Sequence, residues 1–188
     1  QKLSPRGLQV LGVASPPSVL RERRENLRPI WTGEIAWIVE ELTGIERLAT
    51  SGSGSTSAVS LAHMWGCDPI VLVGQDLAYT GGKVYGDATG FGGDCIGRDG
   101  TYHWDSSQFL HRPNNPLPDR DVIEMVPGWG GGEVPSGVPF KSLRQWFAAA
   151  AETFDDVVCI NATEGGSSIP GWKEERLEDV IKSFSPSY

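Results

Sequence analysis

The sequence predicts an α/β fold: a Rossmann-like, layered α/β domain with a mostly parallel sheet. Three observations predict it. Pro69–Val73 and Val157–Ile160 are short, continuously apolar runs of the kind buried in parallel sheets. Segments of helical spacing alternate with them along the chain. Each run leaves into a polar, glycine-containing loop, and in such folds ligands sit beyond the carboxyl ends of the strands.

Taken in order, Leu8–Ala14 alternates and is rich in β-formers, so it reads as a strand that Ser15–Pro17 ends. Arg21–Arg28 is densely charged and reads as a solvated connector. Gly33–Leu42 carries Ile35, Ile38, Val39 and Leu42 at helical spacing, closed by Thr43–Gly44. Arg47–Thr50 reads as a short strand or bridge before the Ser51–Ser57 run of Ser, Gly and Thr. Ala58–Trp65 then has helical character, with Gly66 placed to end it in a left-handed conformation.

After the Pro69–Val73 strand, Tyr79–Asn115 is dense in Gly, Asp and aromatics without a period, the mark of a lid or binding loop. A variable, lid-like insertion is expected over about residues 80–135. Val122–Val126 reads as an edge strand, Gly128–Gly132 as a turn, and Glu133–Pro139 as the lead into a helix. Phe140–Phe154 is the clearest helix, with Leu143, Trp146, Phe147 and Ala150 on one side. Arg176–Phe184 reads as a terminal helix with Leu177, Val180 and Ile181 inward. The 188 residues suit one domain with a proper core. The chain opens at Gln1 directly in pattern, so it reads as the carboxy-terminal part of that domain.

A net charge of −8 argues against a nucleic-acid surface, which needs a basic patch. It leaves nucleotide ligands open, because backbone N–H groups and helix ends hold phosphate without side-chain cations. No apolar run approaches the roughly 20 residues of a membrane span. Cys67, Cys95 and Cys159 are far apart and suggest reduced thiols, hence a cytoplasmic protein. No Cys/His spacing reads as a zinc site, and any metal requirement stays open.

Three loops could carry chemistry. In the first, Ser51, Gly52, Ser53, Gly54, Ser55 and Thr56 stand at a helix start, where free N–H groups could hold a phosphate. The same residues fit an ordinary capped helix equally well. In the second, Gly74, Gln75 and Asp76 follow the buried strand, then Tyr79 and Tyr85 flank Gly81–Gly82. Two phenols there could converge as donors to a departing phosphate; packing into the core is the alternative. In the third, Asn161, Thr163 and Glu164 offer an amide, a hydroxyl and a carboxylate to a base or ribose, or simply shape a turn. His103 and His111 lie in the long loop as candidate general bases. Trp129 and Trp172 stand beside glycines and could stack on a ring or fill gaps.

The stretches Gly74-Gln75-Asp76-Leu77-Ala78-Tyr79-Thr80-Gly81-Gly82-Lys83 and Asn161-Ala162-Thr163-Glu164-Gly165-Gly166 resemble signature segments of the motility accessory factor (Maf) flagellin glycosyltransferases, within the MptE-like domain family. Gly66-Cys67-Asp68-Pro69-Ile70 and Val138-Pro139-Phe140 add to the likeness, which runs from about Ser51 to the end. The resemblance implies one central domain over residues 1–188 and a sialyltransferase-like fold. It implies transfer of a nonulosonic sugar from a CMP-linked donor to a protein Ser or Thr such as that of flagellin. Tyr79 and Tyr85 match, at nearly the same spacing, the tyrosines that assist departure of CMP, and a histidine is the expected base. The family's glycine-rich first strand-loop has no counterpart in this chain.

A pyrophosphokinase using ATP and magnesium, the activity for which the wider family is named, is the alternative enzyme. It needs carboxylates such as Asp76, Asp87 and Asp94 arranged around a metal. A non-catalytic nucleotide-binding or assembly module is the third reading. No cofactor is firmly implied beyond the nucleotide-sugar donor. Sugar, acceptor and oligomeric state are not legible.

Overall fold

The structure is a computed structural model. It describes residues 9–12, 27–30, 36–44, 47–84, 95–97, 99–103 and 121–184. The chain divides into two compact units, Gln1–Trp65 and Gly66–Tyr188.

In the first unit β1 (Gln9–Gly12) pairs in parallel with β2 (Leu27–Ile30), Gln9 opposite Leu27. The expected first strand is therefore present in its central part. The expected charged connector ends differently: Leu27 and Arg28 belong to β2, because strand pairing recruits a segment that has no apolar alternation of its own. Helix α1 (Ala36–Thr43) forms where helical spacing placed it, but Ile38 and Leu42 are exposed and Ala36 is its buried residue. Residues 47–50 form no strand. Their polar groups turn instead to helix α2 (Gly54–Met64): the Ser60 hydroxyl donates to the Ala49 carbonyl, and the Thr50 hydroxyl bonds those of Thr56 and Ser57. Gly66 follows α2 at φ 69°, the left-handed conformation expected of a residue just past a helix.

In chain order the second unit holds β3 (Ile70–Leu72), a 3₁₀ turn (Thr80–Gly82), β4 (Cys95–Ile96), β5 (Tyr102–His103), β6 (Glu124–Pro127), β7 (Glu133–Ser136), helix α3 (Val138–Thr153), β8 (Cys159–Asn161), β9 (Lys173–Glu174) and helix α4 (Leu177–Phe184). Strands β3, β8 and β9 form one parallel sheet in that order, with Ile70 opposite Cys159 and Ile160 opposite Lys173. The mixed helix and strand content around a three-stranded parallel sheet is that of an α/β fold. Among the described residues no helix is long and apolar enough to cross a membrane.

Four strands here carry no readable period. β4, β5 and β9 have two residues each, too few to alternate. The segment read as a lead into the helix is β7, which pairs antiparallel with β6 across the tight turn at Gly128–Gly132, Pro127 opposite Glu133. β6 overlaps Val122–Val126, the segment read as an edge strand, and Pro135 inside β7 hid its partner, since proline demotes a strand reading.

Packing follows the apolar stripes. Phe147 is fully buried on α3 and meets Trp172 edge-on at 5.8 Å. The Trp172 indole N–H donates to the Phe147 carbonyl at 2.8 Å, so this tryptophan fills the core rather than offering its ring to a ligand. Ile160, Ala162 and Val180 form a second cluster with Val71 and Leu177. The buried stripe of α4 runs on the Val180 side, and Ile181, expected inward, is 56% exposed.

The carboxyl ends of β3 and β8 continue side by side. The Ala162 N–H donates to the Leu72 carbonyl at 2.9 Å and the Ser167 N–H to the Asp76 carbonyl at 2.7 Å. Gly166 lies against Asp76 so closely that a Cβ there would stand 2.2 Å from the Asp76 carbonyl oxygen and 2.4 Å from its Cα. Its φ of 67° also disfavours any other residue. Gly166→Ala is expected to cost about 2–4 kcal/mol through overpacking and left-handed strain. Gly165→Ala, whose Cβ would enter open space, is expected to change stability by less than about 0.5 kcal/mol. Urea unfolding of the two variants measures the contrast.

Candidate functional site

The first candidate site is the pair of loops at the carboxyl ends of β3 and β8. Gly74, Gln75 and Asp76 leave β3, and Asn161, Thr163 and Glu164 leave β8, so the structure brings these six predicted residues to one end of the sheet. The Gln75 N–H donates to the Thr163 hydroxyl at 3.0 Å, joining loops 88 residues apart. Among the described residues the non-glycine residues at positive φ are Leu77 (49°) and Glu164 (59°), one in each loop. Each costs roughly 1–2 kcal/mol, and strain of this kind concentrates at functional sites.

The six residues divide by what they touch. Asn161 is fully buried: its side-chain carbonyl accepts the Thr163 N–H at 3.2 Å, and its amide donates to the Ser167 carbonyl at 3.5 Å. Glu164 caps α4 from a distance, accepting the Leu177 N–H at 3.1 Å and the Arg176 guanidinium at 3.4 Å. These two shape the loop. Gly74 and Asp76 are exposed, and Gln75 and Thr163 half-buried, so these four keep accessible surface. Surrounding protein raises the Asp76 carboxyl above the usual aspartate range by desolvation. Among the described residues no hydrogen bond or ion pair reaches that carboxylate.

Trp129 holds the second loop at both ends. Its indole N–H donates to the Asn161 carbonyl at 2.8 Å, and its backbone N–H to the Gly166 carbonyl at 3.0 Å. The next N–H, of Gly130, donates to Glu174 at 2.9 Å. Sequence reading offered Trp129 as a stacking or filling residue; the glycines beside it were the one signal of its place at a turn.

Tyr79 points inward. It is 1% exposed, and its hydroxyl lies 2.7 Å from an Asp121 carboxylate oxygen and 2.6 Å from the Tyr102 hydroxyl. Tyr102 and the same Asp121 oxygen are 3.1 Å apart. The other Asp121 oxygen accepts the Val122 N–H at 2.8 Å and the Val138 N–H at 3.2 Å, which caps α3. Burial, then the bonds to Tyr102 and Asp121, push the Tyr79 phenol far above its usual range, so it stays protonated. Burial works against the Asp121 charge, but hydrogen bonds from Tyr79, Val138, Tyr102 and Val122 outweigh it and hold that carboxyl below its usual range. Nothing in the sequence singled out Asp121: besides its neighbour Val122, its partners Tyr79, Tyr102 and Val138 come from three separate segments.

Tyr79 also lines a cavity of about 860 Å³. Among the described residues, Ile96, Ile123, Met125, Pro135, Gly81, Gly82 and Gly97 line it with Tyr79.

The remaining predicted residues belong to other parts of the chain. Ser51, Gly52, Ser53, Gly54, Ser55 and Thr56 belong to the first unit. Ser53 caps α2, accepting the Ser55 N–H at 3.3 Å. Thr56 is fully buried, with its hydroxyl on the Ser53 carbonyl at 2.7 Å. Ser51, Gly52 and Gly54 are exposed. His103 contributes backbone to β5, opposite Cys95. Tyr85 and His111 lie outside the described residues, as do Asp87 and Asp94.

Because Asp121 has a lowered folded pKa, its contribution to stability is present above the ordinary aspartate range near about pH 4. It is lost as pH falls through the folded value. Asp121→Asn should therefore flatten the acid limb of the stability curve. Tyr79→Phe is expected to cost about 1–3 kcal/mol by leaving buried partners unsatisfied. Urea midpoints measured from pH 3 to pH 7 check both. No family model, curated protein or solved structure matches the chain.

Proposed function

We propose that the chain is a Rossmann-like, sialyltransferase-like domain that transfers a nonulosonic sugar from a CMP-linked donor to a protein hydroxyl such as that of flagellin, in the cytoplasm. The observation that carries the reading is the meeting of the two Maf-like loops at the carboxyl ends of adjacent parallel strands, bonded through Gln75 and Thr163. That is where nucleotides sit in sheets of this class. The strained backbone of Leu77 and Glu164 supports the same place.

The reaction is a displacement. The acceptor oxygen bonds the anomeric carbon, the bond from that carbon to the donor phosphate breaks, and CMP leaves with the electron pair. Asp76 takes the proton of the acceptor hydroxyl. Its raised pKa strengthens it as a base. Thr163, which accepts from Gln75 and keeps its own proton to donate, and the Gln75 side chain serve the departing phosphate. Tyr79, committed to Asp121, acts by fixing the Asp76–Tyr79 segment rather than by touching the phosphate.

The first test is a thermal-shift titration of the full-length protein with CMP, CDP, ADP and ATP, with and without magnesium. Selective stabilisation by CMP, growing with concentration as mass action requires, is the expected result. Stabilisation by ATP with magnesium alone would replace this reading with the pyrophosphokinase, and no shift with any nucleotide would remove it. In a donor-hydrolysis assay, Asp76→Asn should lower kcat by about 10²–10⁴. Wild-type activity should fall as pH drops through the raised Asp76 pKa, since the base must be ionised. Loss confined to His103→Ala or His111→Ala would move the base to that histidine.

A further inference from the structure

Trp129 belongs to neither loop of the site, yet it is bonded to the second loop at two points. Its indole N–H meets the Asn161 carbonyl where the loop begins, and its backbone N–H meets the Gly166 carbonyl where it ends. Between these points in the chain lies Thr163, which accepts the Gln75 N–H. At the second point Gly166 lies against the Asp76 backbone, and the Ser167 N–H donates to the Asp76 carbonyl at 2.7 Å. The place of Trp129 is therefore passed on to both loops.

Trp129 is itself held from β9. Three glycines, Gly130, Gly131 and Gly132, follow it in the β6–β7 turn, and glycine resists rotation least. Bonds inside the turn close it, from the Gly128 N–H to the Gly132 carbonyl at 2.9 Å and from the Gly131 N–H to the Gly128 carbonyl at 3.1 Å. Glu174 ties it to the parallel sheet: its Oε2 accepts the Gly130 N–H at 2.9 Å. The other oxygen, Oε1, is buried with no hydrogen-bond partner among the described residues. A buried, unpaired carboxylate oxygen costs folding energy, so the tie to Gly130 is what this glutamate contributes.

The bond from the indole is one of position more than of stability. The Asn161 carbonyl also accepts the Glu175 N–H at 3.3 Å, so losing the indole donor leaves no orphaned carbonyl. Among the aromatic side chains that are mainly apolar, tryptophan carries an N–H donor and phenylalanine has none.

We propose that Trp129 is a positioning residue of the site, held in place by Glu174, and that it sets where Thr163 and the Asp76 backbone stand. The inference rests on the reading that a CMP-type ligand binds at Gln75 and Thr163.

The test combines amide hydrogen exchange with a CMP titration, on the full-length protein and three variants. Trp129→Phe keeps an apolar ring and removes the donor. Its Gln75 amide is expected to exchange about tenfold faster, while the Ile70 amide, bonded to the Val158 carbonyl at the amino end of β3, keeps its rate. Its CMP affinity should fall by about tenfold, because loops that have lost their place must be ordered on binding. Glu174→Ala should act in the same direction. Glu174→Gln, which keeps an acceptor for the Gly130 N–H, should restore both readouts. Unchanged Gln75 exchange in Trp129→Phe would overturn the proposal. So would equal acceleration at Gln75 and Ile70, which marks lost stability instead of lost position, or a Glu174→Gln variant as impaired as Glu174→Ala. If the wild-type protein binds no CMP, the CMP reading fails, and Gln75 exchange decides the positioning role by itself.

Discussion

The second unit depends on one close approach, that of Gly166 to the backbone of Asp76. Two strands in parallel register define a direction, but their loops stay together only if one backbone can lie on the other. Gly166 permits this by having no Cβ, and the Ser167 N–H then closes on the Asp76 carbonyl. Once that contact forms, Thr163 can accept from Gln75, and Asn161 is sealed beneath the loop with each of its polar groups engaged. Trp129 reaches the same loop from the β6–β7 hairpin and fixes both its ends. A crevice built this way loses little order on binding, because its walls are already held by hydrogen bonds to backbone.

A second constraint runs through Asp121. One carboxylate joins two tyrosine hydroxyls, the first turn of α3 and the following backbone. Charge-assisted bonds to a partly buried carboxylate are stronger than neutral ones, and here they converge at the foot of the cavity. The network gives Tyr79 a different kind of role from the one its spacing suggested. Its phenol stays protonated and anchors the loop that carries Asp76, so its influence on the crevice is mechanical. Among the described residues, the cavity beside Tyr79 is lined by apolar side chains and glycines.

The polar residues around the crevice thus form two layers. Asn161 and Glu164 spend their hydrogen bonds on the loop and on α4, whereas Asp76, Gln75 and Thr163 keep capacity at the surface of the crevice. Residue type alone does not separate these layers, since an Asn or Glu at a strand end serves either purpose equally well. Burial separates them, because a buried polar group must be satisfied by protein while an exposed one can be satisfied by a ligand.

What the sequence by itself determined was local and periodic. The apolar runs ending at Val73 and Ile160 marked two of the three strands of the parallel sheet, the edge strand β3 and the central β8, the Phe147 stripe marked α3, and Gly66 marked the end of α2. The polar loops after both strands were legible for the same reason: a continuous apolar run has to stop where the sheet does. Tertiary structure decided the rest. Two-residue strands such as β4, β5 and β9 have no period to read, and Pro135 in β7 argues against a strand until the hairpin pairs it with β6. Asp121 acquires its meaning from Tyr79, Tyr102 and Val138, which the chain keeps apart until it folds. Whether a hydroxyl or carboxylate at a strand end faces solvent or seals a turn depends on which backbone lies against it, and no single segment of the sequence carries that information.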